Sequence, residues 1–195
     1  VFVGYRAGIS NTVGGQNLAI GSDAMYNNTV GNFNMALGFE SLYANDSGQH
    51  NVAIGKFSMH ANKTGSENVA LGGYSLQNNL TGNLNVALGG GCLGLNTSGS
   101  YNIGIGVSAI YNNETGQGNV GIGKFALDYY NGGNYNTALG HEAGSKNSEV
   151  NYSNTIVIGY NSEVYSSNSI NIGNYYTYSA KSQVSWTTFA DERFK

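Results

Sequence analysis

The sequence predicts an all-β fold, a parallel β-roll or β-solenoid of 17-residue coils. The first observation is a pentapeptide. Asn51-Val52-Ala53-Ile54-Gly55 recurs as Asn17 to Gly21, Asn34 to Gly38, Asn68 to Gly72, Asn85 to Gly89, Asn102 to Gly106, Asn119 to Gly123 and Asn136 to Gly140. The second is its phase: the closing glycine keeps a 17-residue period from Gly4 to Gly140 without a slip. A fixed short period is the signature of stacked, near-identical units. The third is the absence of proline, which fits a backbone whose N–H groups are spent in strand ladders. About ten or eleven coils at ~4.8 Å per coil predict a rod ~50 Å long.

One period, Gly38 to Gly55, shows how a coil is expected to form. Gly38 to Tyr43 reads as a short strand, and Ala44 to Gly48 reads as turn chemistry. Asn and Asp tolerate left-handed backbone, and Gly takes positive φ without steric cost. Asn51 to Ile54 reads as a second strand that Gly55 closes. Strand side chains alternate faces, so Val52 and Ile54 share one face and Ala53 and Gly55 the other. The large pair is expected inside the coil, and the Ala/Gly face against a neighbouring chain.

Other columns keep the same phase. A glycine follows ten residues after each closing glycine, from Gly14 to Gly133. Three residues after it stands a small residue, Ala7 through Ser41 and Cys92 to Ala143. Four residues after it the slot is mostly apolar, Met25 through Leu76 to Leu127. Asn17, Asn34 and their successors to Asn136 form a column at strand spacing, where amides can bond along the stack.

After Gly140 the closing glycines are Gly159 and Gly173, a 19-residue and then a 14-residue step. Residues 1–173 therefore read as solenoid with altered last coils, 174–189 as a neck or linker, and 190–195 as the start of another domain. The chain opens inside a repeat, at Val3-Gly4, so its natural start is expected further upstream.

Composition excludes several classes. With 40% hydrophobic and 10% charged residues, the chain is not of disordered type. Glycine does not recur every third residue, as collagen needs. A net charge of -3 gives no footprint for nucleic acid. No apolar run approaches the ~20 residues of a membrane span, so no membrane insertion is expected. The single cysteine, Cys92, allows no intrachain disulfide framework.

The unit N-x-A-[IL]-G with a small residue three positions on resembles the head repeats of YadA-type trimeric autotransporter adhesins, and the repeats of some phage tail fibres. The resemblance implies a left-handed parallel β-roll in a homotrimer, at an extracellular location on a bacterial surface or a virion fibre. The 17-residue coil is longer than the common adhesin repeat, and only the 14-residue step matches it. The last six residues, Ala190 to Lys195, resemble the entry to the self-cleaving intramolecular chaperone domain of trimeric fibres, S-D-x-R-[LF]-K. Asp191, Arg193 and Lys195 match. Ala190 stands where that family has its cleavage serine, so the junction Ala190–Asp191 lacks it.

No catalytic constellation stands out, and no cofactor or metal is expected. Gly116 to Gly121 matches G-x-G-x-x-G but lacks the βαβ context that a dinucleotide site needs. Cys92 replaces Ala or Ser in its column and reads as a small buried filler. His50, His60 and His141 show no ligand spacing. The tripeptides that begin at Asn27, Asn45, Asn62, Asn79, Asn96 and Asn113 fit the N-glycosylation pattern, but they recur because the turn wants Asn and Ser or Thr. The binding candidates are aromatics: Tyr26, Tyr43 and Tyr111 in one column, Phe33, Tyr101 and Tyr135 in another. Their faces can stack on sugars or fill a protein interface; the plainer reading is that they shield corners or a subunit seam. The expected function is a trimeric extracellular fibre segment that binds a cell-surface glycan or protein receptor. The alternative is a purely structural spacer that carries a separate tip.

Overall fold

The computed structural model describes residues 1–129, 131–144 and 151–177. Among these residues eleven strands form one parallel sheet in chain order: β1 Phe2–Val3, β2 Leu18–Ile20, β3 Met35–Leu37, β4 Val52–Ile54, β5 Val69–Leu71, β6 Val86–Leu88, β7 Ile103–Ile105, β8 Val120–Ile122, β9 Thr137–Leu139, β10 Ile156–Ile158 and β11 Ile170–Ile172. Each strand pairs with the equivalent strand of the next coil, so Met35, Ala36 and Leu37 face Val52, Ala53 and Ile54. The solenoid is therefore as the period predicts, and ten steps of ~4.8 Å make the sheet ~48 Å long. The altered steps also hold: Thr137 pairs with Ile156, and Ile156 with Ile170. Beyond β11 the chain turns at Asn174 to Thr177, and the Asn174 amide is tied to the Tyr160 carbonyl (3.0 Å). The rest of the expected neck, the chaperone start and the Ala190–Asp191 junction lie outside the described residues.

Two expectations are corrected. Each coil has one strand, not two. The stretch Gly38 to Tyr43 is turn, because Glu40 and Leu42 take φ of 50° and 52°. Left-handed residues at every second position curl what a period-2 pattern would extend. The same φ recurs at Phe57 and Met59, and at Phe125 and Leu127. Such residues cost of order 1 kcal/mol or more each and persist only when the surroundings over-determine them. The surroundings here are the neighbouring coils. Glu40 N–H donates down the stack to the Ser22 carbonyl and Leu42 N–H up to the Ser58 carbonyl, at 3.0 and 2.9 Å.

The second correction inverts the strand. Ala19, Ala36, Ala53, Ala70, Ala87 and Ala138 are fully buried, and the large residues on either side of them face outward. The interior is narrow, and it is already filled by the apolar turn column of Met25, Leu42, Met59, Leu76, Leu93, Ile110 and Leu127, all fully buried. A methyl group is what remains to fit beneath the sheet. Burying a Leu or Met side chain contributes roughly 1.5–3 kcal/mol, so this column supplies most of each coil's apolar core.

Local volume swaps show how tight the interior is. A methyl group added at Gly104 would overlap the Cys92 sulfur, and one at Gly121 would lie 2.6 Å from Ile110 Cγ1. In these coils a turn residue that is larger (Cys92 for Ala or Ser) or β-branched (Ile110 for Leu or Met) is matched by glycine in the alanine column. In the 19-residue coil the swap runs the other way, where Gly144 leaves room and Val157 fills the strand position, 0% exposed.

Two asparagine columns bind the coils. The predicted one works chiefly through the backbone. Asn34 Oδ1 accepts from Asn51 N–H at 2.9 Å, and Asn34 Nδ2 donates to the Gly48 carbonyl at 2.8 Å. A second column, Asn11, Asn28, Asn45, Asn62, Asn79, Asn96 and Asn113, forms the direct amide ladder. Its Nδ2 to Oδ1 bonds run from 2.6 Å (Asn28 to Asn11) to 3.0 Å (Asn113 to Asn96). Each member also donates to the carbonyl of the glycine three residues on, as Asn62 does to Gly65 at 3.0 Å. From Asn45 to Asn113 these are the asparagines of the glycosylation-like tripeptides. They are fully buried, so in the folded coil their amides are structural and out of reach of modification.

Two stability tests follow from this interior. Gly104→Ala is expected to destabilise the protein by ~1–3 kcal/mol through overpacking, and most of that loss should vanish in a Cys92→Ala background. Urea unfolding of the two single variants and the double variant measures the coupling; equal costs in both backgrounds would exclude the clash. Asn62→Ala strands Asn45 Oδ1 and Asn79 Nδ2, each short of one bond, and should cost about 2–4 kcal/mol. The exposed neighbour Lys63→Ala should stay within ~0.5 kcal/mol by the same measurement.

Candidate functional site

The outward strand residues form the most extended surface feature. Burial alternates along the chain from Phe33 to Leu37: Phe33, Met35 and Leu37 turn outward, while Asn34 and Ala36 turn inward. Repetition along the sheet makes two parallel columns of side chains, aliphatic except at Thr137. Ile20 is 40% exposed, Leu71 38%, Ile105 37% and Leu139 47%. A third column flanks them on the N-terminal side of each strand and varies in character, with Phe33, His50, Glu67, Leu84, Tyr101 and Tyr135 among its members. Its residues take left-handed backbone, φ 58° at Phe33 and 62° at Tyr101.

The predicted aromatic candidates fall at two corners, and no ring contact joins the two columns among the described residues. Tyr26 stacks on Tyr43 at 5.1 Å and 13°, and Tyr43 stacks on His60 at 5.1 Å and 7°. These ring faces are turned to one another along the rod, so outward they present edges. Tyr111 is separated from that stack by Gln77 and Gly94, and its ring lies over Gly94. At the other corner Phe33 stacks on His50 at 4.7 Å and 5°. Tyr101 and Tyr135, exposed by 60% and 69%, stand apart with Gly118 between them, and the Tyr135 ring lies over Gly118.

Sequence reasoning missed a third aromatic group. Phe57 packs edge-on against Phe39 and His60, and tilted against Tyr74, each at 5.4 Å. Phe57, Tyr74 and Phe125 share the position two residues after the closing glycine. Two of them in consecutive coils were the available signal, but glycine and charged residues elsewhere in that column hid it. Ionic groups sit at the rim. His60 Nε2 is 2.9 Å from Glu40 Oε2. Arg6 lies 4.9 Å over both the Tyr5 and Tyr26 rings and donates to Asp23 at 2.7 Å, which holds the Asp23 carboxyl below its ordinary range.

The remaining reactive groups are structural in placement. Burial pushes the Cys92 thiol up to about 12, so it is not a thiolate near neutrality. Among the described residues no three His, Cys, Asp or Glu side chains come together in a way that could hold a metal ion, and no helix is long and apolar enough to cross a membrane. Asp128 is the one strongly displaced carboxyl among them. Burial raises it to about 6, and its Oδ1 has no hydrogen-bond partner. Comparison with family models, curated proteins and solved structures found no match to this chain.

Asp128 gives a pH test. Below about pH 4 the carboxyl is protonated whether the chain is folded or not. As pH rises toward 6 the unfolded chain releases the proton first, so stability falls across that window. The loss is expected to be on the order of 1 kcal/mol after solvent screening. Asp128→Asn should flatten the dependence between pH 4 and 6 and raise stability at pH 7, as read from denaturation midpoints across that range. A variant that follows the parent's pH profile would show that Asp128 does not carry the dependence.

Proposed function

We propose that the chain is a segment of a homotrimeric extracellular fibre that engages the surface of a target cell. The observation that carries the reading is the uncovered sheet face. Two columns ~48 Å long, aliphatic except at Thr137, make an extended, partly exposed apolar strip of the kind that marks an interaction surface. Side chains of β-branched and leucine type in strict register form a surface suited to an identical copy of itself in parallel alignment. The resemblance of the repeat to trimeric adhesin and tail-fibre repeats supports three copies, a left-handed coil and an extracellular setting. The C-terminal motif at Asp191, Arg193 and Lys195 supports a trimerising domain beyond the rod.

The correction to the strand orientation changes which residues hold the copies together. The contact belongs to Val69 and Leu71 and their column mates, not to Ala70. The corner of Tyr26, Tyr43 and Tyr111 lies off that strip and is left for a receptor, whereas Phe33, Tyr101 and Tyr135 flank it. One observation favours the alternative, a plain shaft: in the stack of Tyr26, Tyr43 and His60 the ring faces are spent on one another.

Light scattering tests the assembly. The 20.5 kDa chain is expected at three times its mass, and Leu71→Lys should release monomers that keep their β signal in circular dichroism. Ala70→Leu should instead lose the β signal, because it overfills the coil interior. A Leu71→Lys variant that stays trimeric would remove the sheet face from the interface. Retention of the parent fibre on cells or immobilised cell-surface material separates the adhesive role from the shaft.

A further inference from the structure

One corner of the rod lacks side chains for no structural reason. Most glycines here are forced. The closing glycines from Gly4 to Gly140 take φ of 130–139°, and a methyl on each would lie no more than 2.7 Å from the next closing glycine's backbone. Gly73 and Gly90 are different. Neither has positive φ, and the nearest heavy atoms to an added methyl are 3.7 and 3.8 Å away. The same column holds Lys56 and Val107 in the coils on either side, so the position accepts large side chains. Gly91, in the next column, replaces residues that elsewhere are Glu40, Phe57 and Tyr74 in the same left-handed backbone.

The missing side chains open a notch two coils tall. Tyr74 borders it on the N-terminal side. Tyr74 is 44% exposed and its ring meets Phe57 at a tilt of 44°, while in its own column the next position toward the C-terminus is Gly91, which has no side chain to cover it. Ser108 Oγ and the Tyr111 ring border it on the other side, 3.4 and 3.7 Å from where a Gly91 methyl would stand. The floor carbonyls are engaged along the stack, Gly73 by Gly91 N–H at 2.9 Å and Gly90 by Ser108 N–H at 3.0 Å. The floor therefore does not offer those acceptors to an added peptide strand. From Gly73 to Tyr111 the three columns of this corner carry no formal charge, although Lys56 and Lys124 stand in the coils beyond.

We propose that this notch binds an uncharged saccharide, a pyranose ring set against the exposed part of the Tyr74 ring with its hydroxyl rim toward Ser108 and the tyrosine hydroxyls. A flat ring with an apolar C–H face and a polar edge matches a site made of an aromatic face, hydroxyls and bare backbone. Saccharide binding here rests on the adhesive reading and names its ligand class. The notch lies past the corner glycines Gly72 and Gly89, off the aliphatic sheet face, and stays open when that face is covered.

The test uses the assembled fibre on a printed array of uncharged glucans, mannans and galactans, with sialylated glycans and immobilised cell-surface proteins alongside. The parent is expected to hold at least one uncharged oligosaccharide. Tyr74→Ala and Gly90→Val should each weaken that binding about tenfold or more, with trimer mass and melting temperature unchanged. Val107 in the same column shows that valine is accommodated. Binding untouched by both variants would overturn the site. Binding only to sialylated glycans or proteins would overturn the ligand class and leave adhesion standing. Loss of the trimer in Gly90→Val would make the notch a subunit contact and overturn the proposal. Retention of nothing on the array would overturn both the notch and the adhesive reading.

Discussion

The coil-to-coil hydrogen bonding of buried asparagines is the constraint on which the rest of the structure depends. A 17-residue coil with one three-residue strand has too little sheet to hold itself. Its turns are full of left-handed backbone that would not persist alone. Two asparagines per coil supply the missing order. One takes the backbone N–H of its counterpart and gives its amide to a glycine carbonyl in the next coil. The other forms an unbroken amide ladder from Asn11 to Asn113. The donors and acceptors of the tight corners are satisfied only by neighbours, so the stability of the rod is a sum over adjacent coils.

The period, the glycine columns and the small and apolar turn columns were legible in the sequence, because each is a simple recurrence with a steric cause. The orientation of the strand was not. Val52-Ala53-Ile54 alternates large and small, and alternation says only that the two sets lie on opposite faces. Which face is inner depends on how much room the turn column leaves, and that is a tertiary quantity. The stretch from Gly38 to Tyr43 misled for a related reason. No residue type after Gly38 there signals left-handed backbone, yet positive φ at Glu40 and Leu42 bends it. The second asparagine ladder was hidden because Asn45 and its equivalents also look like ordinary turn residues.

At the candidate surfaces the sequence found the aromatic columns but not their contacts. Tyr26 and Tyr43 meet face to face, whereas Tyr101 and Tyr135 never meet, because Gly118 intervenes. Column membership fixes which side of the rod a residue occupies. Whether its ring face is free depends on the occupant of the adjacent coil. That is why Tyr74, followed in its column by Gly91, is more exposed than the stacked pair, and why an absence of side chains at Gly73 and Gly90 is as informative as any side chain.

The volume swaps bear on how such a rod changes length over generations. Cys92 with Gly104, Ile110 with Gly121, and Gly144 with Val157 each lie between two successive closing glycines. The fitted partners travel together if the gene is cut and rejoined at those glycines. The bonds that cross from coil to coil, by contrast, come from the same columns at each step, asparagine to asparagine and asparagine to glycine carbonyl. Any 17-residue coil that carries both asparagines can then be stacked on any other such coil. A recombination that duplicates or deletes whole 17-residue units leaves every internal fit intact and every junction chemically the same. Fibre length is thereby freed to vary independently of the packing that makes each coil stable.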